Sequence, residues 1–158
     1  MRLIRKATSR DLPAVNELLG EVLRVHHAIR PDFFKAEGKK YSDEELLRIF
    51  EDPGTPVFVL EEDGIVCAYL FCQLIRQGSG SLQGIKTLYI DDLCVASSCR
   101  GKGAAKALYE HAVAFARSNG CHNITLHVWE GNDGARSFYD AMGLKPQYVS
   151  MEAVLEEE

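Results

Sequence analysis

Long apolar runs are missing from this chain of 158 residues, and no stretch approaches the ~20 residues that a membrane-spanning helix needs. The first residues, Met1 to Lys6, are charged too early for a signal peptide. We therefore expect a cytoplasmic protein that makes no contact with a membrane.

A basic surface is also missing. Lys and Arg number 18 against 23 Asp and Glu, so the formal net charge is -5, and the cations are scattered along the chain. Binding to nucleic acid needs a surface that neutralises phosphates. This composition excludes nucleic acid as an expected partner.

No C-x-x-C pair occurs among the five cysteines, and their number is odd. Cys67, Cys72 and Cys94 lie in apolar stretches, where a free thiol behaves as a small hydrophobic group. His26 and His27 are adjacent, so on a helix their side chains diverge. We expect no disulfide framework, no metal site and a reducing compartment.

Repeats, linkers and low-complexity segments are absent too, which predicts a single domain over residues 1-158. The order of predicted elements is a strand, two helices, three strands, then helix, strand, helix and strand. This order predicts an α/β protein with a mixed sheet, in which ligands collect at the carboxyl ends of strands.

Local signals set the expected boundaries. Thr8 with Asp11 and Ser42 with Glu45 form capping-box patterns that open the first two helices, and Pro31 ends the first of them. The predicted strands are 2-7, 57-61, 65-75, 87-95, 124-129 and 147-155. Two further helices are expected, one starting at Ala104 and the other spanning Asp133 to Met142.

A glycine-rich loop precedes the third helix, and its residues are Arg100, Gly101, Lys102, Gly103, Ala104 and Ala105. A helix N-terminus presents unpaired N–H groups, glycines allow close approach, and two cations add charge. These features suit a pyrophosphate. The same residues also fit a glycine-rich turn with two solvated cations, and they match neither the P-loop nor the dinucleotide spacing.

Two motifs resemble those of the GNAT superfamily of N-acyltransferases. Arg100, Gly103 and Ala105 fill the defined places of its signature [QR]-x-x-G-x-[GA]. The stretch from Asn132 to Leu144 resembles N-x-x-A-x-x-F-Y-x-x-x-G-[FL]. The resemblance implies a GNAT-like domain with a twisted, mostly antiparallel sheet of about six to seven strands and about four helices.

The resemblance also implies a site. Acetyl-CoA would bind through the backbone of Leu93, Cys94 and Val95, where that strand splays from the next one, and through the loop from Arg100 to Ala105. His26 to Phe34 resembles a segment that walls the acceptor site in bacterial members. Asn132 would contact the cofactor, cap the helix at Asp133, or do both.

Tyr139 is the residue that the resemblance assigns to protonation of the departing CoA thiolate. A phenol with a reference pKa near ~10 remains protonated at neutral pH and can donate a proton. The alternative is that Tyr139 packs as an amphipathic aromatic side chain.

Asp91 and Asp92 interrupt an apolar strand, and such acids are costly unless they reach water or a ligand. Only one of them can point into a cleft unless a bulge intervenes. By resemblance, one of them binds or deprotonates the amine, and we favour Asp91. The alternative is that both form salt bridges or lie at a frayed edge.

The expected function is direct transfer of an acetyl group from acetyl-CoA to a primary amine, on a small cationic molecule. Two alternatives remain: a protein or peptide N-acetyltransferase, and a non-catalytic CoA-binding regulator. A homodimer is compatible with the family resemblance.

Overall fold

The structure is a computed structural model and describes residues 1-156. The strands within them are β1 (Arg2–Lys6), β2 (Val57–Glu62), β3 (Ile65–Gln77), β4 (Ile85–Val95) and β5 (Asn123–Leu126). The α-helices are α1 (Leu12–Ile29), α2 (Asp43–Glu51), α3 (Ala104–Ser118) and α4 (Asp133–Ala141). The predicted α/β class is therefore confirmed.

The chain divides into two compact units, Met1–His127 and a second unit that begins at Val128. The first unit contains one sheet in the order β1-β2-β3-β4-β5. The first four strands are antiparallel to their neighbours, while β4 and β5 are parallel. The sheet is thus mixed and mostly antiparallel, as predicted.

Apolar side chains cover both faces of this sheet. On one face, Leu108 and Ala112 of α3 pack with Leu70, Leu88 and Ile90. On the other, residues of α1 and α2 pack in a second cluster with the strands; the cluster includes Val15, Leu18, Leu46, Val59, Tyr69 and Phe71. We refer to these two sides as the α3 face and the α1/α2 face.

Both predicted capping boxes are formed. The Thr8 amide donates to Asp11 at 2.7 Å, and the Glu45 amide donates to the Ser42 hydroxyl at 3.1 Å. The first box opens a single 3-10 turn, Ser9–Asp11, before α1 begins at Leu12. Pro13 is tolerated in the first turn of α1 because the backbone N–H groups of a first helical turn have no acceptor within the helix, so the missing N–H of proline costs no hydrogen bond.

The predicted number of strands was wrong, because residues 1-156 contain five rather than six to seven. No strand is assigned to 147-155, and β5 ends at Leu126 rather than at Trp129. A strand exists through its hydrogen-bonded ladder to a neighbour, which an alternating local pattern cannot supply. Every helix within residues 1-156 is too short or too polar to span a bilayer.

Candidate functional site

A β-bulge in β4 lies at the two acids. In the ladder with β3, Phe71 opposes Asp92 and Cys72 opposes Ile90, so Asp91 has no partner on β3. An extra residue of this kind breaks the alternation of side chains. The bulge that would allow both carboxylates to face one cleft is therefore present.

Packing on either side of the bulge shows its effect. Ile90 packs in the α3-face cluster, and Leu93 packs against the same cluster, although an unbroken strand would turn them to opposite faces. Cys94 packs on the α1/α2 face. Asp91 and Asp92 both contact tyrosines that belong to, or pack against, the α1/α2-face cluster.

Asp91 is held by the segment between α1 and α2. Its carboxylate accepts from the Lys40 ammonium at 3.1 Å and from the Tyr41 hydroxyl at 3.5 Å. The Lys40 nitrogen also lies 5.3 Å from the centre of the Tyr41 ring. Burial, the largest single influence, works against the charge on Lys40, but the interactions with Asp91, Tyr41 and Asp92 together outweigh it and the pKa of Lys40 is raised.

Asp92 accepts a hydrogen bond of 2.5 Å from the hydroxyl of Tyr69, whose ring is fully buried. Burial raises the pKa of the Asp92 carboxyl to about 6, although the Tyr69 hydrogen bond favours the charged form. Burial and the neighbouring carboxylate also raise the pKa of Tyr69. The Asp92 carboxyl can thus bind and release a proton at a pH not far below neutral.

The parallel ladder between β4 and β5 ends immediately before the bulge. Its last pair joins Ile90 to Leu126, whereas β4 continues to Val95. Leu93, Cys94 and Val95 therefore have β3 as their partner on one edge and no β5 ladder on the other. A strand edge that is free inside a sheet can bind a ligand through its backbone.

The loop that follows β4 takes the conformation that its glycines permit. Gly101 and Gly103 have φ values of 81° and 80°, and Gly103 is the N-cap of α3. The Arg2 guanidinium donates to the Lys102 carbonyl at 2.9 Å, and the Arg100 side chain donates to the Val95 carbonyl at 3.3 Å.

Anion binding is the chemistry that this loop can perform. The first helical hydrogen bond, from the Ala107 amide to the Gly103 carbonyl, leaves the amides of Ala104 and Ala105 without a helical acceptor. The nearby cations Arg100 and Lys102 carry the charge that a pyrophosphate needs. An open depression of about 390 Å³ beside the loop is also lined by Arg24 and Arg100.

The second unit contains the other predicted site residues. The Asn132 side chain accepts from the Ala135 amide at 3.3 Å and so caps α4, while the Leu144 amide donates to the Tyr139 carbonyl at 3.0 Å. Gly143, with φ of 92°, follows α4 in the left-handed conformation of a helix C-terminus. Tyr139 is half-buried, with its ring 5.0 Å from that of Phe138.

A family model decides the membership of this chain. The model is described as the acetyltransferase (GNAT) family and matches residues 22–144. The chain belongs to the GNAT acetyltransferase family. The family resemblance carried by the two motifs is thereby confirmed.

Solved structures show the same fold. A mutant of the BH1408 protein from Bacillus halodurans is 28% identical, with a TM-score of 0.94 over 98% of this chain and 99% of that one. Glucosamine-6-phosphate N-acetyltransferase from Arabidopsis thaliana is 23% identical, with a TM-score of 0.71 over 99% of both chains. At that identity, the second likeness concerns the fold alone.

A curated relative matches part of the chain. The chloroplastic GCN5-related N-acetyltransferase 6 of Arabidopsis thaliana is 35% identical over 80 residues, which are 51% of this chain. This chain therefore spans about a quarter of the relative's length, since the match covers 26% of it.

Three polar residues that contact Asp91 or Asp92 were missed by the sequence analysis: Lys40, Tyr41 and Tyr69. Tyr41 precedes the Ser42 cap, at the position of a hydrophobic staple, and this pattern was a usable signal. Tyr69 had no local signal, because its role depends on the β3–β4 register. Lys40 and Asp91 are 51 positions apart.

The segment predicted to wall the acceptor site, His26 to Phe34, makes contacts within itself. The rings of His26 and Phe34 are 4.9 Å apart, and His27 Nδ1 lies 2.8 Å from the Phe34 carbonyl oxygen. Burial lowers the pKa of His26, and the positive charge of Lys40 lowers it further. His127 Nδ1 lies 3.1 Å from the Tyr89 hydroxyl oxygen. Residues 1-156 contain no cluster of three or more His, Cys, Asp or Glu suited to a metal.

Proposed function

We propose that this chain is an acetyl-CoA-dependent N-acetyltransferase that acts on a primary amine of a small cationic molecule. The observation that carries the proposal is the end of the β4–β5 ladder at Ile90, directly beside the two carboxylates on the bulge. Along 91-105, two acids are followed by a strand edge without a β5 ladder and then by a helix start that suits an anion.

The residues present fit CoA. Its pyrophosphate matches the amides of Ala104 and Ala105 with the charges of Arg100 and Lys102, and the backbone of Leu93 to Val95 matches its amide-bearing arm. In this proposal, the backbone N–H near Leu93 polarises the thioester carbonyl. Asn132 contributes a further cofactor contact, for which the family motif is the support.

The two carboxylates have different roles toward the acceptor amine. Asp91 binds the ammonium, as it binds that of Lys40, and Asp92 accepts the proton because its pKa of about 6 leaves it ionised at neutral pH. The neutral amine attacks the thioester, the carbon–sulfur bond breaks, and Tyr139 protonates the CoA thiolate. The motif around Tyr139 is the support for its role.

The chemistry of the site favours a cationic acceptor. Two acids face the same side of β4, and the chain has a net charge of -5. Lys40 and Tyr41 lie over Asp91, whose side chain is 19% exposed, and this cover leaves less room for a peptide than for a small amine.

Thiol release in the presence of acetyl-CoA tests the proposal. The purified protein is incubated with acetyl-CoA and a panel of polyamines, amino sugars and lysine-containing peptides. We expect turnover with small amines and a loss of that turnover in Asp92→Asn. Turnover with peptides alone would contradict the small-amine acceptor, and binding of CoA without any thiol release would favour a non-catalytic regulator.

A further inference from the structure

One lysine of the chain, Lys40, has its ammonium group close to both a carboxylate and an aromatic ring. Lys40 Nζ lies 3.1 Å from an Asp91 carboxylate oxygen and 5.3 Å from the centre of the Tyr41 ring. A carboxylate together with an aromatic face is a general arrangement for binding an ammonium group. The ion pair is asymmetric, because the Lys40 side chain is 51% exposed and that of Asp91 is 19% exposed.

The neighbouring lysine provides an internal comparison. Lys39 Nζ lies 3.4 Å from Asp43 at the start of α2, and its side chain is 63% exposed. Both lysines belong to the same segment between α1 and α2, yet only Lys40 is in contact with the bulge. The two lysines therefore have the same side-chain chemistry and differ in which carboxylate their position lets them contact.

Asp91 is the first residue of β4 beyond the last β4–β5 pair. The proposed function places the thioester in the opening that begins there, and the present inference rests on that function. We infer that Lys40 occupies the position of the acceptor amine and is itself an acetyl acceptor, so that the protein acetylates its own Lys40 when no other amine is present.

The reaction balances without a further reactant. The Lys40 ammonium transfers a proton to a carboxylate, and the neutral Nζ attacks the thioester carbon of acetyl-CoA. The nitrogen–carbon bond forms, the carbon–sulfur bond breaks, and CoA leaves as the thiol with the second amine proton. The proton on the carboxylate passes to water, so each transfer yields acetyl-lysine, CoA and one released proton.

Acetylation also changes the site. The amide nitrogen of acetyl-lysine carries no charge, so the ion pair with Asp91 is lost. An amine acceptor that binds Asp91 must displace Lys40, and saturating amine should therefore protect Lys40 from acetylation.

Mass spectrometry of the labelled protein tests this inference without knowledge of the natural acceptor. The protein is incubated with isotopically labelled acetyl-CoA, sampled over time and digested with a protease that cuts after Glu. We expect label at Lys40 to appear at least about tenfold faster than at Lys39, as positioning beside a reactive group would give. The rate per molecule should not depend on protein concentration.

Two variants sharpen the test. Asp91→Asn should slow labelling of Lys40 by about tenfold or more while CoA still raises the melting temperature. Lys40→Arg keeps a cation for Asp91, and it should remove the label at this position while leaving CoA binding unchanged.

Equal labelling of Lys40 and Lys39 in a protein that binds CoA would overturn the inference, as would a rate that grows in proportion to protein concentration. Failure to bind CoA at all would instead overturn the proposed function. Turnover of small amines with Lys40 unlabelled in their absence would leave the proposed function standing and reject the role of Lys40.

Discussion

Asp92 has a carboxylate whose charged form the folded protein disfavours. Burial raises its pKa to about 6, above the ~3.9 of an unfolded aspartate. The folded state therefore binds this proton more tightly than the unfolded state. The resulting contribution to stability is complete below pH ~4 and is lost as the pH rises through about 6.

Asp92→Asn removes this pH dependence and keeps an acceptor for the Tyr69 hydroxyl. The unfolding free energy of the variant, relative to the parent, should rise by about 2 kcal/mol between pH 4 and pH 8, since one pKa unit corresponds to ~1.4 kcal/mol. Urea unfolding at both pH values measures the difference. A difference that is the same at pH 4 and pH 8 would show that the Asp92 pKa is not raised.

Tyr139 permits a test at the level of a single atom. Tyr139→Phe removes the phenolic oxygen and retains the ring, so kcat should fall by about a hundredfold, the lower range for a lost general acid. The KM for acetyl-CoA should change little, and thiol release at saturating amine over a range of acetyl-CoA concentrations measures both. Tyr109→Phe, on α3, is the matched control, and a kcat equal to that of this control would leave Tyr139 with a packing role.

At the scale of elements, the start of α3 depends on a conformation that favours glycine. Gly103 has φ of 80°, whereas an added Cβ there would meet only the end of the Arg2 side chain, at 4.0 Å. Strain, and not a clash, is thus the expected cost of Gly103→Ala, at about 1 kcal/mol. The loop would also shift, and the KM for acetyl-CoA should rise.

Gly20→Ala is the control for that prediction, because Gly20 lies inside α1 and an added Cβ would make an ordinary contact at 3.5 Å with Arg24. It should stabilise the protein by about 0.5 kcal/mol or more, since alanine is the better helix former. Thermal unfolding and a titration of acetyl-CoA measure both variants. An unchanged KM in Gly103→Ala would show that the loop conformation does not serve the cofactor.

Three elements meet at a half-buried ionic network. Arg5 of β1 donates to Asp11 at 2.8 Å and to Glu61 of β2 at 3.1 Å, and Asp11 is 3% exposed. Burial alone would raise the pKa of Asp11, but its hydrogen bonds from Arg5 and Thr8 lower it. This stabilisation is present above pH ~4 and is lost as the pH falls through the lowered pKa.

Arg5→Met leaves the Asp11 carboxylate buried without its cation. We expect a loss of about 3 kcal/mol of unfolding free energy at pH 7, and a smaller loss near pH 3, because the Asp11 carboxyl of the variant, without its cation, can take up a proton at low pH. Arg48→Met is the control, since its exposed pair with Glu44 at 3.7 Å should contribute less than about 0.5 kcal/mol. Equal losses in the two variants would contradict a structural role for the network.

At the scale of the whole molecule, binding of CoA should stabilise the fold. A ligand present at 100 times its Kd adds about 2.7 kcal/mol, so the melting temperature should rise with CoA concentration. Pantetheine, which lacks the pyrophosphate, should produce a smaller rise, because the loop before α3 then has no anion to bind. No rise with CoA, or an equal rise with pantetheine, would argue against the proposed cofactor site.

Local signals determined much of this protein. The caps at Thr8 and Ser42, the glycines before α3 and the motif ending at Leu144 are each read within a few residues, because helix starts and tight turns depend on nearby backbone groups. The order of elements up to α4 and the family followed from these signals.

Only the tertiary structure decided the rest. The register between β3 and β4 produces the bulge, and because of the bulge Asp91 and Asp92 face the same side of the sheet. The same register brings the Tyr69 hydroxyl into hydrogen-bonding distance of Asp92. The number of strands depended on ladders that no local pattern specifies. Lys40 reaches Asp91 across 51 positions, and such a contact is fixed by the packing of the whole sheet rather than by the residues beside it.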